Sequence, residues 1–372
     1  MPHTHDPNED GLDTIPPPQP VFYAEQALLG ALLLDPQRLS DVPDITSNAF
    51  STAAHAALFA AIRSLPRPDP AEHTKNTQWL DAVLAAAGKQ TRGLTASYLH
   101  TLIQVCPWPR HASAYARMID AEHARRLLRT AAHRLAQTSR NTSLPHPVPT
   151  TLAEADALAS VVDDIAAHFQ PHSRTLPRTS ASPTTTIPAD EAALDEERLL
   201  LATATAYPRD IEQMLWLSSK DFTHSLHAGL WQCLTSLARR RAPVDPVTVL
   251  WEAQQCGILD PRADPRDVLN LLAESAGSSQ HWGERILQRS LLTVAHDIGR
   301  RVETFTNDPT STPYQFVVGS RRALADLSAV RTRWYHATSP ARTTQPARSR
   351  ATAPPRAGPL QPTAPATARI SR

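Results

Sequence analysis

"SNAFSTAAHAALFAAIRSL", residues 47–65, and "SKDFTHSLHAGLWQCLTSL", residues 219–237, are one segment written twice, and that repetition decides the fold. At a constant offset of 172 residues, Phe50 falls on Phe222, His55 on His227, Leu58 on Leu230, Phe59 on Trp231 and Leu65 on Leu237. Unrelated amphipathic helices share an apolar period, but not the residues off that period. The same offset carries Glu25 to Glu197, Leu28–Leu29 to Leu200–Leu201 and Pro36 to Pro208. Downstream, an offset of about 167 sets "YARMI" (115–119) on "WGERI" (282–286), together with the long amphipathic runs that follow. A few residues were lost between the two registers, and the chain contains a duplication.

Each repeat reads as helical, so the expected class is all-α: two tandem helical bundles, each with a long helical hairpin. In "LDPQRL" and "VDPVTV", Asp35 and Asp245 are placed at N-cap with Pro36 and Pro246 at the first helical position, where a missing N–H costs nothing. Gly88 and Gly257 follow apolar runs as helix-ending residues. Pro107 and Pro109 separate a helix ending near Val105 from a long one starting near Arg110. Further helical runs close the units at 151–169 and 313–330. No stretch alternates at period two, so no strand is expected. Trp79, Trp108, Trp216, Trp231, Trp251 and Trp282 lie at or near apolar helical positions and read as core anchors.

Composition draws the boundaries. The domains are expected over 21–170 and 192–331. An acidic tail (1–20), a Pro/Ser/Thr-rich linker (171–191) and an Arg/Pro-rich tail (332–372) hold too little apolar surface to offset chain entropy and are expected to be disordered. Net charge is +1, yet no acidic residue follows Asp326. The apolar run Ala27–Leu34 is far shorter than the roughly 20 residues of a spanning helix. It follows an acidic stretch rather than the basic start of a secretion signal. A soluble core helix and a cytoplasmic protein are the expectation. The three cysteines show no paired spacing, which suggests neither a disulfide framework nor a zinc site, and there is no HExxH pattern. No metal is expected.

"EQALLGALLLDPQRL" (25–39), "AF" (49–50) followed by "HAALFAAI" (55–62), and "YLHTLIQVCPWPRHASAYARMI" (98–119) resemble the amino-terminal domain of replicative DNA helicases of the DnaB type. "FTHSLHAGLWQCL" (222–234) and "APVDPVTVLWEAQQCGIL" (242–259) resemble it again in the second unit. The likeness covers about 21–170 and 192–330. It departs at "RPDPAEHTKNTQ" (67–78) in the first unit and at "ATATAYP" (202–208) in the second. Members of that family usually carry the helical domain once, then a linker helix, then a RecA-like ATPase motor; the runs 151–169 and 313–330 stand where the linker helix belongs. A motor needs a G-x-x-x-x-G-K-[ST] loop to cradle phosphate. The nearest match, "AGKQT" (87–91), has Val83 in place of the first glycine and Gln90 in place of the metal-binding hydroxyl. The expectation is a protein that is not an enzyme and takes no cofactor.

The resemblance implies that each long hairpin packs against another copy to build a ring collar, which also receives the helicase-binding domain of primase. On that footing Tyr115, Arg117, Arg125, Arg126 and Arg129 in the first unit, and Trp282, Arg285, Arg289, Arg300 and Arg301 in the second, are candidate interaction residues. The competing reading is a solvated helix face paired with Glu122 or Glu284. Arg331, Arg333, Trp334, Arg342, Arg348 and Arg350 are candidate DNA contacts, through phosphate neutralisation and base stacking, against a plain tail. His55 and His227, one per unit, read as packing or hydrogen-bonding histidines rather than a metal pair. The expected role is a non-catalytic replication adaptor that engages primase, replicative helicase, a helicase loader or itself through its hairpins. The alternative is a DNA-binding regulator whose bundles dimerise.

Overall fold

A computed structural model describes residues 19–169, 190–260 and 264–339, and all regular structure among them is helical. The first repeat comprises α1 (Pro20–Leu34), α2 (Ala53–Ser64), α3 (Pro70–His73), α4 (Gln78–Gly88), α5 (Ala96–Val105), α6 (Ala112–Arg140) and α7 (Pro147–His168). The second comprises α8 (Glu191–Ala206), α9 (Ser225–Arg239), α10 (Pro246–Gln255), α11 (Pro265–Ala273), α12 (Ser279–Asn307) and α13 (Pro313–Thr338). The extra helix α3 falls inside the stretch where the first repeat departs from the second. No helix among the described residues is long and apolar enough to cross a membrane.

Local chemistry sets the helix ends. Thr52 caps α2 by accepting from His55 N at 3.1 Å, and Thr95 caps α5 through Tyr98 N at 3.2 Å. Asp245 caps α10 through Val247 N and Thr248 N, as its sequence predicts. Gly257 leaves α10 at φ 67°, in the left-handed region. Two expected ends differ. Asp35 precedes only a 3-10 turn, Pro36–Asp41, and binds Arg38 rather than capping N–H groups. Gly88 is the last residue of α4 itself and keeps a negative φ.

The first head, α1 to α5, has its own core. Leu28, Leu29, Leu32, Leu58, Phe59, Ile62, Val83 and Leu102 are closed off by Ala112, Ala116 and Ile119 at the start of α6. The second core does not respect the repeat boundary. It joins Leu200, Leu230, Trp231 and Leu234 of the second head to Leu291, Ile298, Val302 and Phe316 of its hairpin. It then continues into Leu128, Leu135, Leu152, Leu158 and Val162 of the first hairpin. The four long helices α6, α7, α12 and α13 of the two tandem bundles therefore share one interior.

Three expectations about boundaries and burial need correction. The expected tail from 332 starts inside α13, which runs on to Thr338 because Arg333 binds Asp221 and Trp334 packs on the core. The linker expected over 171–191 ends earlier, because α8 begins at Glu191; residues 170–189 and the first eighteen of the chain lie outside the described residues. Trp79 and Trp231 are core anchors, but Trp108 and Trp251 are 55% and 63% exposed. Trp251 lies on the uncovered side of the short helix α10, and Trp108 falls in the connection between α5 and α6, outside any α-helix.

Candidate functional site

α6 and α12 run antiparallel and cross where both carry small residues. Ala132 and Gly299, equivalent in the repeat, face each other: a Cβ at Gly299 would stand 2.7 Å from Ala132 O and 2.8 Å from Ala136 Cβ. Only glycine admits that approach. Around the crossing Leu128, Leu135, Leu291, Ala295, Ile298 and Val302 are buried.

Polar contacts then tie the helix ends across the repeats. Arg125 Nη1 donates to Asp308 O at 2.7 Å and Thr306 O at 3.3 Å, while Nη2 donates to Ser311 O at 3.0 Å and Pro309 O at 3.3 Å. Its guanidinium also lies 5.0 Å from the Phe316 ring centroid. Arg129 Nη2 donates to Thr306 O at 2.7 Å. The last carbonyls of a helix lack intrahelical donors and sit at the negative end of its dipole, so two arginines there satisfy both demands. From the other side, His296 Nδ1 donates to Ala136 O at 3.0 Å and Glu303 meets His133 Nδ1 at 2.7 Å. An open groove of about 740 Å³ runs along this crossing, lined by His133, Gln137, Arg140, His296, Arg300 and Glu303.

Of the ten predicted hairpin residues, the structure brings only Arg125 and Arg129 to the junction between repeats through hydrogen bonds. Arg125 also keeps the expected pairing with Glu122, at 3.0 Å. Arg126 Nη2 reaches back to Ala49 O in its own head at 2.5 Å. Tyr115 packs on the first core, edge-on to His111. Arg117 is exposed and bonds only Ser113 O, one turn back, at 3.2 Å. In the second unit Arg285 and Arg289 both bind Glu196 of α8, Arg300 binds Glu303, and Arg301 binds Asp326 at 3.0 Å. Trp282 Nε1 donates to Ala276 O at 2.7 Å.

Two of the predicted DNA-contacting arginines are likewise engaged in the fold. Arg331 forms a bidentate pair with Asp156 of α7, at 2.5 and 3.0 Å. Arg333 binds Asp221, which also accepts from Ser218 N and Ser290 Oγ, both at 2.7 Å. Trp334 is half-buried against the shared core. Arg342, Arg348 and Arg350 lie outside the described residues.

Each head is fastened by a buried Glu–His pair that sequence reasoning did not assemble. Glu25 accepts from Ser51 N at 2.6 Å, Ser51 Oγ at 2.9 Å and His55 Nδ1 at 2.6 Å; His55 Nε2 lies 2.6 Å from Tyr98 Oη. Glu197 accepts from Thr223 N at 2.6 Å, His224 N at 3.3 Å and His227 Nδ1 at 2.8 Å. Burial alone would raise the Glu197 pKa, but the bonds from His227 and Thr223 outweigh it and hold the carboxyl below its ordinary range. The matching of Glu25 to Glu197 and His55 to His227 at one offset was the available signal. The two histidines serve separate heads, and no cluster of three or more metal-ligating side chains occurs among the described residues.

The comparisons with known proteins agree with the repeat. The model of the DnaB-like helicase N-terminal domain matches twice, over residues 17–121 and 189–286. The replicative DNA helicase DnaB of Geobacillus stearothermophilus is 36% identical over 118 residues, which is 31% of this chain and 25% of that helicase. The replicative DNA helicase DnaB of Treponema pallidum (strain Nichols) is 31% identical over 140 residues, 35% of this chain and 29% of the helicase. The chain thus matches less than a third of the length of either relative. No solved structure matches it.

Proposed function

This chain belongs to the DnaB-like helicase N-terminal domain family, and from that premise we propose that it is a non-catalytic, replication-associated adaptor in the cytoplasm. It presents two helicase collar domains, already paired, to primase, to the replicative helicase or to a helicase loader. The observation that carries this reading is the α6–α12 crossing. Surfaces that would otherwise await a second copy are filled within one chain, so Arg125 and Arg129 find their acceptors in the other repeat. What remains for a partner is the outer side of the hairpins, where Arg117, Met118 and Leu127 are exposed, together with the heads. The 372 residues contain no phosphate-cradling Gly-Lys loop, and the adaptor works without hydrolysing ATP.

The test is an affinity pull-down of the tagged chain from its own cells after nuclease treatment, read by mass spectrometry. Recovery of primase, helicase or loader, reduced by charge reversal at Arg117, supports the adaptor. Recovery of none of them, with DNA retained only when nuclease is omitted, favours a DNA-binding regulator. One observation favours that second reading: the absence of acidic residues after Asp326. With Arg331 and Arg333 ion-paired in the fold, it would rest on Arg342, Arg348 and Arg350 as weak, salt-sensitive phosphate contacts.

A further inference from the structure

α9 and α10 lie side by side, and two contacts set their antiparallel register. Just past α10, Ile258 fills the space beside Gly229 of α9, where a Cβ would stand 2.5 Å from Ile258 Cγ2. At the other end Arg240 Nη2 meets Glu252 Oε1 at 2.6 Å. Gly229 and Cys233 share one face of α9, four residues apart, and the C-cap Arg240 follows on the same side seven residues later. Glu252 and Cys256 are likewise four residues apart on one side of α10, so the antiparallel register sets Cys233 opposite Cys256 between the two contacts. Cys233 is buried and Cys256 exposed. The third cysteine, Cys106, packs against the separate core of the first head.

We propose that Cys233 and Cys256 are a redox-active dithiol that closes to a disulfide, stapling α9 to α10, when the protein meets a two-electron oxidant of the peroxide class. The exposed Cys256 thiolate attacks one peroxide oxygen and the O–O bond breaks. Cys256 becomes a sulfenic acid, and the departing hydroxide takes the proton shed by the thiol to leave as water. Cys233 sulfur then gives up its proton and attacks Cys256 sulfur. The S–S bond forms, the S–O bond breaks and a second water departs. Two thiols are oxidised by two electrons in all, and one hydrogen peroxide is reduced to two waters.

The order follows from burial. Shielding from water, with Cys256 and Glu252 nearby, pushes the Cys233 thiol up to about 12. It is therefore inert to oxidants until an activated neighbour is in contact with it. A disulfide needs the sulfurs at about 2.05 Å, which the register permits by placing the two side chains opposite each other on adjacent helices. The staple would fix α10, which displays Val247 and Trp251 to solvent.

The experiment treats the reduced full chain with excess hydrogen peroxide, counts free thiols, and maps tryptic peptides without reductant. Free thiols are expected to fall from three to one. Peptides 221–239 and 242–262 should be joined, and should separate on adding dithiothreitol. Cys256→Ser, at an exposed position, abolishes the link without disturbing the core, and Cys106→Ser leaves it intact. Three results would each overturn the proposal: an intermolecular link through Cys256, a sulfinic acid on Cys256 beside free Cys233, or three thiols surviving treatment.

Discussion

Ala132 and Gly299 hold the same position in the two repeats, 167 residues apart, and they meet at the crossing of α6 and α12. A local two-fold relation between the hairpins follows from that meeting. Each repeat contributes its small residue to the point where the other approaches, and the buried leucines and isoleucines on either side close the interior.

Substitution at the crossing should be felt at once. Gly299→Val places methyl groups against Ala132 O and Ala136, in a packed site that cannot expand. The expected loss is about 1–3 kcal/mol of stability by urea denaturation, despite the better helix propensity of any residue over glycine. A variant as stable as the parent would show that the helices are not in contact there.

Arg125→Ala removes donors to four carbonyls and a cation over Phe316, from a side chain that is 12% exposed. The loss should be about 1–3 kcal/mol, because the acceptors at the end of α12 stay partly buried. Arg117→Ala, at an exposed position one turn from only Ser113, should change stability by less than about 0.5 kcal/mol. Equal effects from the two would remove the distinction between them.

Acid should weaken the second head. The folded Glu197 carboxyl lies below its ordinary value of 4.5, so the unfolded chain takes up a proton first. The stabilisation is present above that ordinary value and is lost as pH falls through the lower folded value. Glu197→Gln should lower stability at neutral pH and flatten this part of the acid profile, measured by circular dichroism against urea at several pH values.

Trp231 and Trp251 should respond in opposite ways. Trp231 is 1% exposed and Trp251 is 63% exposed. Trp231→Ala should cost about 3–5 kcal/mol through the cavity it leaves, and Trp251→Ala less than about 0.5 kcal/mol. Comparable losses would place Trp251 inside the core.

A fragment of residues 19–169 tests the shared interior. Without the second repeat, Leu128, Ala132 and Leu135 would face water, and the first hairpin should pair with that of another fragment. Light scattering should report a dimer of the fragment. A strictly monomeric fragment with full helicity would argue that the hairpin needs no covering.

Much of this molecule was legible before any coordinates. The repeat offset, the helical period, the Asp245 cap and the glycine exit of α10 all follow from neighbours close in the chain, where backbone geometry and side-chain spacing act locally. The Glu–His pairs stood half-visible, as residues matched between repeats without a stated partner.

The sequence by itself determined two copies of one helical domain, because apolar period and capping chemistry are written residue by residue. Only the tertiary structure decided that their hairpins would merge into one interior, that Arg125 would end on the carbonyls of 306–311, and that Cys233 would lie opposite Cys256 in the register of α9 on α10. An apolar stripe says that a face must be covered but not by what. A main-chain carbonyl carries no side-chain signature that could name it as an acceptor. Partners distant in the chain are selected by shape, here by the space left between a glycine and an alanine.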